Sequence, residues 1–344
     1  MHILAIETSC DETSAAVVSS GNKILSNVVA TQTEFHQKYG GIVPEIASRK
    51  HIELISPVIQ EALDKAKTSF KKIDAVACTY GPGLVGSLLI GLCAAKAFAW
   101  SCKIPLIGVN HLEGHIYANF LGPHAAKPPR FPFICLIVSG GHTSIVYAKK
   151  AGQYETLGRT RDDAAGEAFD KVARVLKLGY PGGPVIDGLA QHGNPHAIEF
   201  KRPMIERNFG YDFSFSGIKT GVINFVNKHK GFKVEDLAAS FQAAVVDVLV
   251  EKTLQAAKDK KVKTICLAGG VSANSGLREA FEKRVNEGGK SLRPRSGRAI
   301  FRLHIPPLSL CTDNAAMIGA VACYKFKKKE FADLSIKPVA SLKI

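Results

Sequence analysis

The fold is decided by the stretch Ile3–Val18, which reads ILAIETSCDETSAAVV. A short apolar run leads into the polar turn Glu7–Thr13, and a second apolar run follows at once. This is the pattern of a strand, a tight loop and a strand. The same pattern returns at Ile134–Ala148, where Ser139–Thr143 forms the polar loop. The chain therefore contains an internal duplication.

A second pair of matching units supports the duplication. Ala75–Thr79 runs into the glycine-rich loop Gly81–Gly86, and Thr264–Ala268 runs into Gly269–Asn274, each followed by a helical pattern. A short apolar strand, a glycine loop and a helix are typical of a buried parallel sheet. The second pair is 189 residues apart and the first pair 131, so the second half carries an insertion, which we place near 161–230.

These units predict an α/β protein with two similar lobes, 1–118 and 119–344, and a cleft between them. The arrangement resembles the duplicated actin/hexokinase-like ATPase fold, which is built from two RNase H-like lobes. In that fold, paired loops from both lobes clasp a nucleotide. Backbone N–H groups of glycine-rich turns after strands suit phosphate oxygens.

Composition narrows the class of protein. The 344 residues include 45 Lys+Arg and 30 Asp+Glu, a formal charge of +15. The length favours two domains and excludes disordered chains and disulfide scaffolds. The basic excess indicates a polyanionic partner, nucleic acid or an acidic membrane, with simple solubility as an equal alternative.

Cysteine usage and the N-terminus indicate a compartment. The eight cysteines form no C-x-x-C pair, and most lie in apolar runs, as buried thiols do in a reducing environment. No targeting segment is evident, and Lys96 interrupts the best apolar run before it reaches membrane-spanning length. We expect a cytoplasmic protein without a membrane partner.

Two histidines stand at i and i+4 in Asn110–Ala118. On a helix, His111 and His115 share one face and can bind one metal ion, although ordinary packing explains most such pairs. A zinc-protease motif is the rival interpretation, but Glu113 would lie about 200° round the helix from His111. Asp313 opens a predicted helix in the second half and is a candidate third ligand, or else a plain N-cap. A His-His-Asp set suits iron or zinc.

Ten motifs carry a resemblance that runs from Ile3 to about Ala320. They are ETSCDET (7–13), GIVPE with Arg49 and His51 (41–51), TYGPGLVGSLLIG (79–91), NHLEGH (110–115), LIVSGGHT (136–143), DDAAGEAFDK (162–171), YPGG (180–183), FSFSGIK (213–219), AGGVSAN (268–274) and LCTDNAAM (310–317). Through them the chain resembles the TsaD family of tRNA N6-adenosine threonylcarbamoyltransferases, once described as O-sialoglycoprotein endopeptidases. The bacterial branch fits better than the mitochondrial one.

The resemblance implies transfer of a threonylcarbamoyl group from threonylcarbamoyl-AMP to N6 of adenosine 37 in tRNAs that read ANN codons. It implies one divalent metal per subunit, Fe²⁺ or alternatively Zn²⁺, on His111, His115 and Asp313. It also implies two protein partners, the smaller paralogue TsaB and the ATPase TsaE, and AMP or ATP as nucleotide ligands. The implied nucleotide and substrate contacts are Ile137, Val138, Ser139, Gly140, Gly141, Asp170, Gly183, Asp187 and Asn274.

Two hypotheses extend the resemblance. Asp11 or Glu12, in the first loop, assists proton removal from the adenine amine, with a solvated turn as the alternative. The segment 287–303 is longer and more basic than is usual in the family, and its Lys290, Arg293, Arg295, Arg298 and Arg302 contact tRNA phosphates or form a solvated loop. A small-molecule kinase shares the expected fold but leaves the His-His-Asp set unexplained.

Overall fold

The computed structural model describes residues 1–20, 23–122, 126–291 and 301–344, with the backbone alone described at 287–291. The chain divides into two compact units. The first contains Met1–Pro128 together with Pro306–Ile344, and the second contains Pro129–Ile305.

The first unit is built on a five-stranded sheet in the order β3-β2-β1-β4-β5. Its strands are β1 (His2–Glu7), β2 (Glu12–Ser19), β3 (Lys23–Thr31), β4 (Ala75–Gly81) and β5 (Leu106–Asn110). β1 to β3 are antiparallel, whereas β4 and β5 run parallel to β1. The helices of this unit are α1 (Thr33–Gln37), α2 (Pro44–Lys65), α3 (Val85–Cys102), α4 (His111–Tyr117) and α10 (Ala315–Lys327).

Helices cover both faces of this sheet, which explains why Ile3–Ile6 of β1 are all apolar. Leu4 and Ile6 belong to the core formed with α2 and α3. Ala5 lies on the other face, where α10 packs so closely that a Cβ on Gly319 would come 2.5 Å from Val18. A strand that is buried on both faces reads as a continuous apolar run.

The second unit repeats this topology, with sheet order β10-β9-β6-β7-β8. Its strands are β6 (Phe133–Val138), β7 (Thr143–Lys150), β8 (Gln153–Arg159), β9 (Thr264–Ala268) and β10 (Arg302–His304). Its helices are α5 (Ala165–Val175), α6 (Gly182–Ala190), α7 (Ser216–Lys228), α8 (Val234–Asp259) and α9 (Ser275–Ser291). The duplication is confirmed. Helices α5 to α7 lie between β8 and α8, in the region 161–230 where we placed the insertion.

The division of the chain differs from the expected lobes 1–118 and 119–344. Residues 306–344 return to the first unit, because α10 is apolar on nearly every side and packs against β1 and β2. Residues 330–344, here called the C-terminal strap, then follow β5 and β4. Ala332 N donates to Leu106 O at 2.8 Å, and Val339 N donates to Tyr80 O at 2.8 Å.

Among the described residues, one helix is long and apolar enough to cross a membrane by length and composition, and it is α3. We expected none, because of Lys96. In the fold, α3 packs against β4 and α2, with Leu88 and Leu92 fully buried. Its other face carries exposed Leu89 and Trp100, the latter 74% exposed.

Candidate functional site

Three potential metal ligands come together in the first unit. His111 and His115 lie on α4, which begins directly after β5, and Asp313 precedes α10. One ligand atom from each of the three lies within 4.8 Å of the others. Asp313 Oδ1 is 3.1 Å from His115 Nε2 and 3.6 Å from His111 Nε2. The i, i+4 spacing therefore places both rings on one face of the helix, opposite a single carboxylate.

The surroundings of His115 fit a cation. Both of its ring nitrogens are buried. Nε2 has the 3.1 Å contact with Asp313 Oδ1, but neither nitrogen makes a hydrogen bond of good geometry within the described parts of the chain. Leaving a buried polar group without such a bond costs about 1–3 kcal/mol. A divalent ion bound to Nε2 and to Asp313 would satisfy one of these nitrogens, and two imidazoles with one carboxylate are suitable ligands for iron or zinc.

Asparagines cap the two helices that carry these ligands. Asn110 Oδ1 accepts from Leu112 N at 2.9 Å at the start of α4, and Asn314 Oδ1 accepts from Met317 N at 3.1 Å at the start of α10. The N-cap role considered for Asp313 thus belongs to Asn314. Because its neighbour caps the helix, the Asp313 carboxylate can face the histidines.

A buried carboxylate that sequence reasoning missed stands behind His111. Glu7 ends β1, is fully buried, and places Oε2 3.1 Å from His111 Nδ1. Burial raises the pKa of Glu7, but the adjacent His111 outweighs it and the pKa falls below its ordinary value. For His111, burial lowers the pKa, but Asp313 and Glu7 raise it to about 9 in the absence of a cation. The sequence does contain a signal for this residue, because Glu7 is an acidic residue that directly follows the apolar run Ile3–Ile6.

Asp11 and Glu12 lie where β1 turns into β2. Asp11 is buried, and burial together with the charges of Asp11 and Asp313 raises the pKa of Glu12 well above its ordinary value. His51, on α2, holds this loop from behind. Its Nε2 is 3.0 Å from Cys10 O and its Nδ1 is 2.7 Å from Thr13 Oγ1.

The geometry of Glu113 disfavours the protease interpretation. Its carboxylate Oε2 lies 3.9 Å from Lys325 Nζ of α10, and the side chain is buried. An H-E-x-x-H protease needs its glutamate beside the metal-bound water. Glu113 instead contributes to the packing of α4 on α10.

In the second unit, the glycine loop predicted to bind phosphate joins β6 to β7. Ser139 N donates to His142 O at 2.8 Å, and Ser139 O accepts from Gly166 N at 3.2 Å. A Cβ on Gly140 or Gly141 would meet none of the described atoms within 4 Å. The loop therefore has open space above its backbone. Ile137 and Val138 are fully buried, so they can offer a ligand backbone groups alone.

The other residues of the implied nucleotide site lie on helices around this loop. Asp170 Oδ1 accepts from Gly182 N at 2.7 Å, at the start of α6. A Cβ on Gly183 would meet nothing within 4 Å in the described part of the chain. Asp187 accepts from Ser275 N at 2.9 Å, at the start of α9. Both aspartates thus hold helix N-termini in this structure.

Asn274 and Asp187 are linked by Gln242, a residue that sequence reasoning did not identify. Gln242 Nε2 donates to Asp187 Oδ1 at 3.0 Å, and its Oε1 accepts from Asn274 Nδ2 at 2.7 Å. Asn274 also caps α9 by accepting from Leu277 N at 2.8 Å. The network fixes both side chains. No sequence motif marks Gln242, since it lies in the middle of the long helix α8.

The predicted basic segment 287–303 falls largely outside the described residues. Within it, the backbone of α9 to Ser291 and the start of β10 at Arg302 are described.

Comparison with known proteins gives consistent matches. The family model for TsaD, tRNA N6-adenosine threonylcarbamoyltransferase, matches residues 23–320. A curated protein of that name from Clostridioides difficile (strain 630) is 54% identical, covering 99% of this chain and 98% of its own length. One from Clostridium botulinum (strain Kyoto / Type A2) is also 54% identical, covering 100% and 98%.

Solved structures with low sequence identity support the fold. HypF from T. kodakarensis matches with a TM-score of 0.62 at 13% identity, over 95% of this chain and 48% of its own. Component A of the Acidaminococcus fermentans (R)-2-hydroxyglutaryl-CoA dehydratase matches with a TM-score of 0.54 at 16% identity, over 96% and 99%. These likenesses confirm the predicted ATPase-type α/β fold.

Proposed function

The chain belongs to the TsaD family of tRNA N6-adenosine threonylcarbamoyltransferases, and from this premise we propose that it transfers the threonylcarbamoyl group of threonylcarbamoyl-AMP to N6 of adenosine 37 in tRNAs reading ANN codons. The protein is a transferase, and the relatives favour neither the kinase nor the protease alternative. The proposal rests on the cluster of His111, His115 and Asp313. The chain that contains it matches, over its whole length, relatives that share one name.

The metal we propose is Fe²⁺, with Zn²⁺ as the alternative. Two imidazole nitrogens and one carboxylate leave coordination positions open for substrate oxygens. When bound, the ion would polarise the carbamoyl or carboxylate oxygens of the donor. Metal analysis of the purified protein identifies the ion, and His115→Ala should lose it.

The chain's own residues then position the substrates, because the mixed anhydride is already activated. The open backbone at Gly140 and Gly141 suits the phosphate of the nucleotide. Asp11 or Glu12 is proposed to take the proton from the adenine amine. Burial and the charges of Asp11 and Asp313 raise the pKa of Glu12, and a raised pKa makes a carboxylate a stronger base.

The partners proposed are tRNA, the paralogue TsaB and the ATPase TsaE, in the cytoplasm. For TsaB we propose the outer face of α3, where Val85, Leu89 and Trp100 are all exposed. Exposed apolar patches of this kind mark protein interaction sites. Leu89→Glu with Trp100→Glu should abolish co-elution with TsaB without changing metal content. Unchanged co-elution would contradict this choice of surface.

One reconstituted reaction tests the function. The chain, its two partners, preformed threonylcarbamoyl-adenylate and unmodified tRNA are combined, and the modified adenosine is measured. His111→Ala should abolish transfer, and full transfer by that variant would exclude the metal's role. Asp11→Ala and Glu12→Ala should each slow transfer, and unchanged rates in both would remove the proposed base.

The basic segment 287–303 is proposed to contact tRNA phosphates. Neutralising its five basic residues should weaken tRNA binding and reduce the dependence of affinity on salt concentration. An unchanged salt slope would leave the segment without that role.

A further inference from the structure

The two histidines of the metal cluster are held very differently. His115 makes no hydrogen bond through either ring nitrogen within the described residues. His111, by contrast, has Glu7 Oε2 and Ser9 Oγ each 3.1 Å from Nδ1. Both rings face Asp313, so the difference lies on the far side of each ring, where Nδ1 of His111 has two partners and Nδ1 of His115 has none among the described residues.

Glu7 is itself fixed from two directions. Its Oε1 accepts from Ser9 N at 2.5 Å, and its Oε2 accepts from Thr79 Oγ1 at 2.5 Å. Ser9 lies in the loop that follows β1 and Thr79 lies on β4, the parallel neighbour of β1, so the carboxylate is held between that loop and a neighbouring strand. A fully buried carboxylate needs such donors, since an unpaired buried charge is very costly.

In the neutral ring that a metal ion would bind, this arrangement determines which nitrogen of His111 carries the proton. A carboxylate can accept hydrogen bonds but not donate them, so a contact with Glu7 requires the proton on Nδ1. The Nε2 lone pair is then directed away from Glu7, on the side of Asp313, 3.6 Å from its Oδ1. That is the tautomer a metal ligand requires.

We propose that Glu7 is a positioning residue of the metal site, which holds His111 in its metal-binding tautomer and orientation. The inference rests on the proposed metal site. Asp313 beside the ion and Glu7 behind His111 both place negative charge near a bound cation. Neither the i, i+4 spacing nor the three ligands require this residue, so the role is separable from them.

Titration with Co²⁺ tests the proposal, because its visible absorption reports the ligands directly. Glu7→Gln keeps the size of the side chain and removes its charge. The new amide can donate to Nδ1, and that hydrogen bond requires the proton to be on Nε2. We expect roughly 10- to 100-fold weaker Co²⁺ binding, the usual effect of removing such a partner. Glu113→Gln, a buried carboxylate on α4 that faces Lys325, is the matched control and should bind Co²⁺ like the wild type.

The outcomes separate the proposal from its premise. Wild-type Co²⁺ affinity in folded Glu7→Gln would overturn the role of Glu7 and leave the metal site standing. Failure of the wild-type chain to bind Co²⁺ would overturn the site and this inference together. Thermal unfolding without metal shows whether Glu7→Gln is folded. If it is not, Thr79→Val replaces it, and unchanged Co²⁺ affinity in that variant would also overturn the proposal.

Discussion

Replacing Gly140 by alanine should weaken nucleotide binding while leaving the stability of the fold almost unchanged. The added Cβ meets none of the described atoms within 4 Å, and the residue is not in the left-handed region. The free energy of unfolding should therefore change by less than about 1 kcal/mol, with a small gain from the less flexible unfolded chain. A phosphate oxygen bound to this backbone would occupy the same space as the new methyl group.

The expected loss follows from the hydrogen bonds displaced. One bond to a charged phosphate contributes about 1.5–3 kcal/mol, so AMP should bind roughly 10- to 100-fold more weakly at 1.4 kcal/mol per tenfold. Calorimetric titration with AMP measures this, and thermal unfolding checks stability. Gly188→Ala on α6 is the control, since its Cβ also has open space. Wild-type AMP affinity in Gly140→Ala would refute a phosphate site at this loop.

Three further predictions concern the supports of the two sites. Asn314→Ala removes the cap of α10 and should cost about 1 kcal/mol of stability; denaturant unfolding measures it, and an unchanged midpoint would contradict the capping role. Gln242→Leu leaves Asp187 and Asn274 without a shared partner and should cost about 1–3 kcal/mol; the same assay applies, and a stabilised variant would show that the network is dispensable. Burial raises the pKa of Asp163, but its hydrogen bonds from Lys171 and Lys219 outweigh it, and the pKa falls below its ordinary value. The stabilisation is therefore complete above the unfolded pKa and is lost as pH falls through the folded one, so Asp163→Asn should be less stable at pH 7 and lose less stability in acid. Parallel pH profiles of the melting temperature for the two proteins would contradict this.

Patterns that lie within one stretch of sequence were readable in advance. The duplicated sheets were predicted from the repeated pattern of strand, loop and strand. Each pattern contains a continuous apolar run, which is typical of a strand that is buried on both faces. The spacing of His111 and His115 placed two candidate ligands on one helix face. These predictions needed no knowledge of what the segment packs against.

Features that depend on distant segments were not readable. Glu7 meets Thr79 and His111 across 72 and 104 residues, so its surroundings appear in no local pattern. Asp313 and Asn314 are adjacent and both suit an N-cap, and tertiary contact decided which of them caps. Residues 306–344 belong to the first unit because α10 packs on β1 and β2. The composition of α10 is apolar and would fit either unit, so the sequence did not predict this.

The division of the first unit into two distant segments has a consequence for its synthesis. Asp313 and the C-terminal strap leave the ribosome only after the whole of the second unit, 129–305. At about 5–20 residues per second, roughly 10–35 s separate the two parts of the first unit. During that interval the second unit can fold. The first sheet still lacks α10, and the two histidines still lack Asp313. A nascent chain broken off before residue 313 would contain both imidazoles and still lack the third residue of the proposed ligand set, so metal loading would report that translation had passed this point.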